Sequence, residues 1–417
     1  MATSATFFTF SNTINGEART GPRLTQAVNP SNKQPLWDVP VASEADVDEA
    51  VAAAKQAFPS WSRTPWSERA RLLAQAREAL LAIKDDMASV IMQENGKPVG
   101  RSKLCKRSII LRRNADTVCA DGGGPFARVS VFSFRGIASH PELQPRVVQD
   151  DADLRLSVRY VPMGVVAAIC PFNYPLVLAM GKIGAALLTG NTVIVKPSPY
   201  TPYSVLKFVE VVKSIFPPGV IQALNGDEKT GPLLVEHPDV QKISFTGSIA
   251  TGKNIMATAS RTLKSITLEL GGNDACIVCP DVDISVVAPQ VAIGAFLNSG
   301  QFCLASKRVY VHEDIYQPFL QRLTEIVKQW KTGPSTPDAG NMLGPIQNEM
   351  QYNFVKRFYE DAQRNGYKFA LGSAEISDEG NFVIQPAIID NPPDESRVVR
   401  EEAFGRTPAF LCFFFLK

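Results

Sequence analysis

From Val161 onward the chain alternates short apolar runs with longer helical ones, and this constrains the fold more than any other feature. "VVAAIC" reads as a short buried strand and "PLVLAMGKIGAALLTG" as a helix closed by Gly190. "NTVIVKPS" is a strand ended by Pro197, "SVLKFVEVVKSIF" a helix, "VIQALNG" a strand, and "VQKISFTGS" a strand running into the helix "IATGKNIMATAS". Strand and helix in strict alternation require crossover connections, and these build a parallel, doubly wound sheet. Ligands of such sheets bind beyond the carboxyl ends of the strands. After "SITLELGG" the alternation resumes to about residue 390, which predicts a second α/β domain.

The region before the sheet reads as helical over residues 43 to 96. Ser43 is a good N-cap, with Asp46 and Glu49 in the early turns and Val47, Val51, Ala54 and Phe58 at helical spacing. The pattern repeats in "PWSERARLLAQAREALLAIKDDMASVIMQENG", with Pro65 near its start and Gly96 at its end. With 45% hydrophobic and 20% charged residues, the 417-residue chain has room for two or three cores. A net charge of +2 points to neither nucleic acid nor an acidic membrane. The N-terminus lacks the basic region of a signal peptide, and no run approaches the roughly 18 apolar residues of a membrane span. Seven cysteines, an odd number, fit unbridged thiols in a reducing compartment, and the expected location is cytoplasmic. The CxxC of Cys276 and Cys279 lies in a strand-like run, not at a helix start. His140, His237 and His312 are too scattered for a zinc site, so no metal is expected.

Four stretches carry candidate chemistry. "FTGSIATGKN" follows a strand and opens a helix. Gly247, Gly252 and Lys253 have P-loop spacing, but Asn254 stands where a Mg²⁺-binding Ser or Thr belongs. A glycine at a strand-to-helix turn still leaves free N–H groups facing a phosphate, or is a tight turn without ligand. In "LELGG", Glu269 ends an apolar strand before two glycines. It is either a strand-end carboxylate in solvent or a general base. In "NSGQFCLASKR", Cys303 sits among Gly300, Gln301, Ala305 and Ser306 in a loop-like break. A lone cysteine is usually a small buried hydrophobe, yet a thiolate in such a loop can attack a carbonyl if donors hold the oxyanion. In "PFNYP", Asn173 lies in a rigid turn after a strand, and its amide can donate two hydrogen bonds.

Taken together and in order, "PFNYPLVLAMGKIGAALLTGNTVIVKPS", "FTGS", "LELGG", "GQFCLASKR" and "EEAFG" resemble the aldehyde dehydrogenase superfamily. The 34 positions from Glu269 to Cys303 are a family-like separation. "NPSNKQPLWDVPVASEADVDEAVAAAKQAFPSW" and "QENGKP" also resemble the family's N-terminal region, so the likeness covers about residues 12 to 100 and 145 to 405. It implies an α/β fold: a doubly wound dinucleotide-binding domain with N-terminal helices (residues 1–144 and 161–268), an oligomerisation hairpin (145–160) and a catalytic α/β domain (269–417). It implies that Cys303 attacks an aldehyde, and that Asn173 and the Cys303 N–H hold the oxyanion. Hydride then passes to NAD or NADP, and Glu269 activates water to hydrolyse the thioester. Lys196 and Ser198 of "VKPS" and Phe172 of "PFNYP" are implied at the cofactor, Gly247 and Ser248 at the pyrophosphate, and Glu402 and Phe404 of "EEAFG" at the nicotinamide ribose and ring. NAD-preferring members often carry a glutamate three positions after the lysine. Pro199 stands there, which makes NADP more plausible. A CoA-acylating member is the other enzymatic reading, and Glu269 argues for hydrolysis.

Two stretches depart from the family. Residues 101–139 lack a sustained helical period and hold six basic residues from Arg101 to Arg113, read as a solvated basic face or an aberrant segment rather than a nucleic-acid patch. After "EEAFG" the family continues with proline and several dozen residues that complete the catalytic domain and supply a pairing strand. Here "RTPAFLCFFFLK" follows. The expectation is a truncated domain with an apolar, aggregation-prone tail, doubtful homo-oligomerisation and, as the alternative to an active enzyme, an inactive relative that at most binds dinucleotide.

Overall fold

The computed structural model describes residues 5–98, 145–376, 380–406 and 409–413. The atypical segment at 101–139 lies outside them. By internal contacts the described chain forms two units: residues 5–27, 37–87 and 145–269, and residues 28–36, 88–98 and 270–413.

Helices α1 (Glu44–Arg63), α2 (Trp66–Ala82) and α3 (Lys84–Asn95) fill the region expected to be helical. Ser43 caps α1 through a capping box. Its Oγ accepts from Asp46 N–H at 3.2 Å, and the Asp46 carboxylate accepts from Ser43 N–H at 2.8 Å. Val47, Val51 and Ala54 form the buried stripe that the spacing requires.

The first unit carries a seven-stranded sheet. Its strands are β1 (Asn12–Ile14), β2 (Glu17–Arg19), β7 (Val165–Ile169), β8 (Thr192–Lys196), β9 (Ile221–Ala223), β10 (Lys242–Thr246) and β11 (Ser265–Glu269), in the order β11-β10-β7-β8-β9-β1-β2. The short pairs β3 (Leu24–Thr25) with β4 (Val39–Pro40), and β5 (Arg146–Asp150) with β6 (Arg155–Val158), form two further small sheets. Pairing is parallel from β11 to β9 and antiparallel at β1 and β2. Helices α4 (Pro175–Leu188), α5 (Tyr203–Val212), α6 (Thr230–Glu236) and α7 (Ile249–Ala259) make the crossovers. Every residue of β7 and β8 is buried, as expected for central parallel strands covered on both faces. The chain winds from β7 through β8 to β9, then returns to the other side of β7 for β10 and β11. The winding therefore reverses between β7 and β10.

The second unit has five strands: β12 (Ala275–Val278), β13 (Arg308–His312), β14 (Lys368–Leu371), β15 (Ile388–Asp390) and β16 (Ala409–Phe413). Their order is β12-β13-β16-β15-β14, with only β14 antiparallel. Helices α8 (Ile284–Phe296) and α9 (Tyr316–Lys328) pack Ala292, Phe296, Phe319 and Leu323 into one core with Val309 and Val311 of β13. Helix α10 (Glu349–Arg364) and the short α11 (Arg397–Arg400) bring Phe358 and Val398 together with Ile389 of β15. The apolar run expected to be a tail has a place in this sheet. Residues 409–413 pair on both sides, Arg308 opposite Ala409 through His312 opposite Phe413, and Ile389 opposite Ala409.

Candidate active site

In the first unit, parallel register brings the sequence-derived candidates to one edge of the sheet. Ile169 at the end of β7 pairs with Lys196 at the end of β8 and with Phe245 of β10, while Thr246 pairs with Glu269 at the end of β11. Phe172 and Asn173 follow β7, Ser198 follows β8, and Gly247 and Ser248 follow β10. Phe172, Asn173, Gly247 and Ser248 thus flank the point where the winding reverses. The Gly247 N–H donates to the Glu269 carbonyl oxygen at 3.0 Å, so the "FTGS" turn is fastened to the strand that ends in "LELGG". Glu269 itself is exposed, and Asn173 is buried.

Ser248 caps α7, its Oγ accepting from Thr251 N–H at 3.2 Å. The first-turn N–H groups of Ile249 and Ala250 have no partner within the helix, which leaves two donors at a positive helix end. Lys196 is 6% exposed, and its one hydrogen bond among the described residues goes to the Pro197 carbonyl at 3.2 Å. Burial lowers its ammonium to about 8, with Cys170 and Asp227 opposing the shift. Ser198 makes the turn that follows, accepting from Tyr200 N–H at its Oγ (3.3 Å) and from Thr201 N–H at its carbonyl (3.1 Å). A desolvated cation with donors to spare at the end of β8, and a capped helix N-terminus after β10 on the same side of the sheet, fit a ligand carrying hydroxyls and phosphates.

In the second unit Cys303 lies in a loop, and the backbone before it is unusual. Asn298, Ser299 and Gly300 all take left-handed conformations, at φ of 52°, 61° and 75°. Two consecutive non-glycine residues there cost energy that the surroundings must return. They do so with buried polar contacts. Ser299 Oγ donates to the Gly344 carbonyl (2.9 Å) and accepts from Arg406 (2.8 Å). Gln301 bonds the Asn298 carbonyl (3.2 Å) through its amide and accepts from Gln347 N–H (2.8 Å). Arg406, fully buried, also donates to the Ile384 carbonyl, and burial brings its guanidinium down to about 9.

The Cys303 thiol is half-buried. Burial pushes it up, while the N–H groups of Leu304 and of Cys303 itself, together with the Lys307 ammonium, pull it back. Cys170 is a useful contrast: it is fully enclosed at the end of β7, and burial raises it to about 12. Cys276 and Cys279 are free thiols as well.

Glu402 reaches the same part of the unit. One of its oxygens accepts from Gly272 N–H at 3.1 Å and the other lies 2.8 Å from Lys307 Nζ. Gly271 permits the approach, since a Cβ there would come within 2.1 Å of the Glu402 carboxylate. Phe404 has φ 47°, and its carbonyl accepts from Gln351 at 3.2 Å. The sequence reading passed over Lys307 and Arg406. The only signal in the chain is a basic residue four positions after the cysteine and another directly after "EEAFG", and neither spacing has a local meaning.

The model of the Aldehyde dehydrogenase family matches residues 17–113 and 126–409. A protein named FUS7 from Gibberella moniliformis is 40% identical over 413 residues, which is 98% of this chain and 81% of that one. An NAD+ complex of aldehyde dehydrogenase from Bacillus cereus superposes with TM-score 0.87 at 29% identity, covering 99% of this chain and 81% of that one. A crystal structure of an E. coli NADP-dependent enzyme gives TM-score 0.89 at 29% identity, covering 99% and 82%. The chain belongs to the aldehyde dehydrogenase family, a family of NAD(P)-dependent oxidoreductases.

Proposed function

We propose that this chain oxidises an aldehyde to a carboxylic acid through a covalent adduct on Cys303. The observation that carries the reading is the state of that thiol. It is partly exposed, it is set on a loop with an energetically costly backbone, and backbone N–H groups and a cation oppose the effect of burial. The Cys303 sulfur adds to the aldehyde carbon, forming the C–S bond. The Asn173 amide and the Cys303 N–H are the donors assigned to the resulting oxyanion. The dinucleotide, when bound, supplies the two-electron acceptor. Glu269 takes a proton from the water that attacks the Cys303 thioester, and the C–S bond breaks with return of the thiolate.

For the cofactor, Lys196 and Ser198 are assigned to the adenosine ribose side, Gly247, Ser248 and the start of α7 to the pyrophosphate, and Glu402 and Phe404 to the nicotinamide riboside; Phe172 is assigned to the cofactor as well. The NAD+ complex and the NADP-dependent enzyme among the structural neighbours support either dinucleotide. With Pro199 in place of a carboxylate, nothing at that position repels a 2′-phosphate, so both cofactors are expected to serve. The hairpin of β5 and β6 carries exposed Val147, Val148, Leu154 and Leu156, which supports self-association through it.

The test is NAD(P)H formation by the purified chain over a panel of aliphatic and aromatic aldehydes, with product analysis in the presence and absence of CoA. Turnover to free acid is expected, with a loss of at least about a thousand-fold in kcat for Cys303→Ser. Full activity in that variant rejects the covalent reading, and acyl-CoA as the sole product rejects the role of Glu269. Among the described residues no helix is long and apolar enough to cross a membrane.

A further inference from the structure

Three charged side chains from three segments of the second unit meet beside the Cys303 main chain. Lys307 comes from the cysteine loop, Glu402 from the segment after α11, and Asp274 from the turn before β12. Lys307 Nζ donates to the Cys303 carbonyl at 2.7 Å, and lies 2.8 Å from Glu402 Oε1 and 3.5 Å from Asp274 Oδ2. Lys307 is buried, and the second Glu402 oxygen is held by Gly272 N–H. None of the reaction steps assigned above needs an amine. A buried ammonium with three acceptors in reach is costly unless it organises them.

We propose that Lys307 is a positioning residue for the nucleophile: its ammonium clamps the Cys303 main chain to the Glu402 carboxylate, so that one cation sets both the cysteine loop and the carboxylate assigned to the cofactor. The inference rests on the reading of Cys303 as the reacting thiol. It gives the two partners opposite signs at the sulfur. The Lys307 charge favours the thiolate, and the Glu402 charge disfavours it. Burial raises the Glu402 carboxyl, Lys307 and the Gly272 N–H pull it back, and the Asp274 charge, 3.5 Å from Lys307 Nζ, adds to the rise. Without Lys307, Glu402 faces the thiol uncompensated and the carbonyl of the nucleophile loses its donor.

The test is the rate of iodoacetamide alkylation at Cys303, read by mass spectrometry of the peptide that contains it, across pH, on the full chain. Lys307→Met is expected to slow alkylation about three- to tenfold at neutral pH and to move the profile to higher pH. Lys307→Arg is expected to restore most of the rate, and Glu402→Gln to move the profile to lower pH. An unmoved profile in folded Lys307→Met overturns the inference. A shift of the same sign in Lys307→Met and Glu402→Gln also overturns it, because loosened packing alone would act that way. Should Lys307→Met fail to fold, the Glu402→Gln profile decides: a shift to lower pH supports the clamp and no shift rejects it. Labelling needs no turnover, so the two readings fail separately. Turnover lost in Cys303→Ser with an unmoved profile in Lys307→Met rejects only the clamp, and turnover retained in Cys303→Ser rejects the assignment of the nucleophile.

Discussion

The sheet edge of the first unit and the cysteine loop of the second place chemistry by different means. At the sheet edge, position follows from strand register. Lys196 and Glu269 are the last residues of parallel strands, and Asn173, Gly247 and Ser248 occupy the turns just beyond such strands. The main-chain ladder does the placing, and each side chain needs little further support. In the cysteine loop no ladder exists. The loop with left-handed Asn298 and Ser299 is held through Ser299, Gln301, Lys307 and Arg406, whose partners at Gly344, Gln347, Glu402 and Ile384 lie tens of residues away in the chain. A site built on register tolerates side-chain change. A loop built on long-range polar contacts should not.

Gly300→Ala is the most severe way to break that contrast. Gly300 has φ 75°, and a Cβ would come within 1.9 Å of the Gly405 carbonyl oxygen, so main chain would have to move against main chain. A loss of about 3–5 kcal/mol is expected in denaturant unfolding, with loss of turnover. A cost below about 1 kcal/mol would show that the loop adapts as freely as the sheet edge does.

Lys196 gives a smaller effect with a definite pH signature. Its ammonium is lowered to about 8 in the folded chain from a usual 10.5, so the unfolded chain binds that proton more tightly. The sign follows from linkage. Below pH 8 both states are protonated and the folded one bears the full cost of burial. Between pH 8 and 10.5 that cost is relieved, so stability rises with pH by at most about 3 kcal/mol. Lys196→Met should remove this rise from the difference between the denaturation midpoints at the two ends of that window. It should also be more stable than the parent chain at neutral pH, while binding dinucleotide more weakly. Equal pH dependence in the two proteins would mean that the lysine is solvated.

The smallest effect sharpens the comparison from the sheet side. Ser248→Ala removes one cap bond of 3.2 Å and is expected to cost about 1 kcal/mol by thermal or denaturant melt, with a modest rise in the KM for dinucleotide. If it cost as much as Gly300→Ala, the distinction between register-placed and contact-placed residues would fall.

The sequence alone carried the βαβ order, the Ser43 cap, the ends of the strands and the motif residues, because each is a local property: period, turn chemistry, a glycine next to a carboxylate. For residues 409–413 it showed only an apolar run with the composition of a strand, because hydrophobicity over five residues says nothing about which strands lie on either side; pairing places them between β13 and β15. It was silent on Lys307 and Arg406 for the same reason. A buried cation is recognised by its acceptors, and those of Lys307 include Glu402, 95 positions away, while Arg406 serves Ser299, 107 positions away. The chain's local chemistry determined the elements and the candidate nucleophile. Long-range packing alone decided what stands beside that nucleophile and how strongly it is held, because desolvation and charge pairing depend on neighbours in space and not on neighbours in sequence.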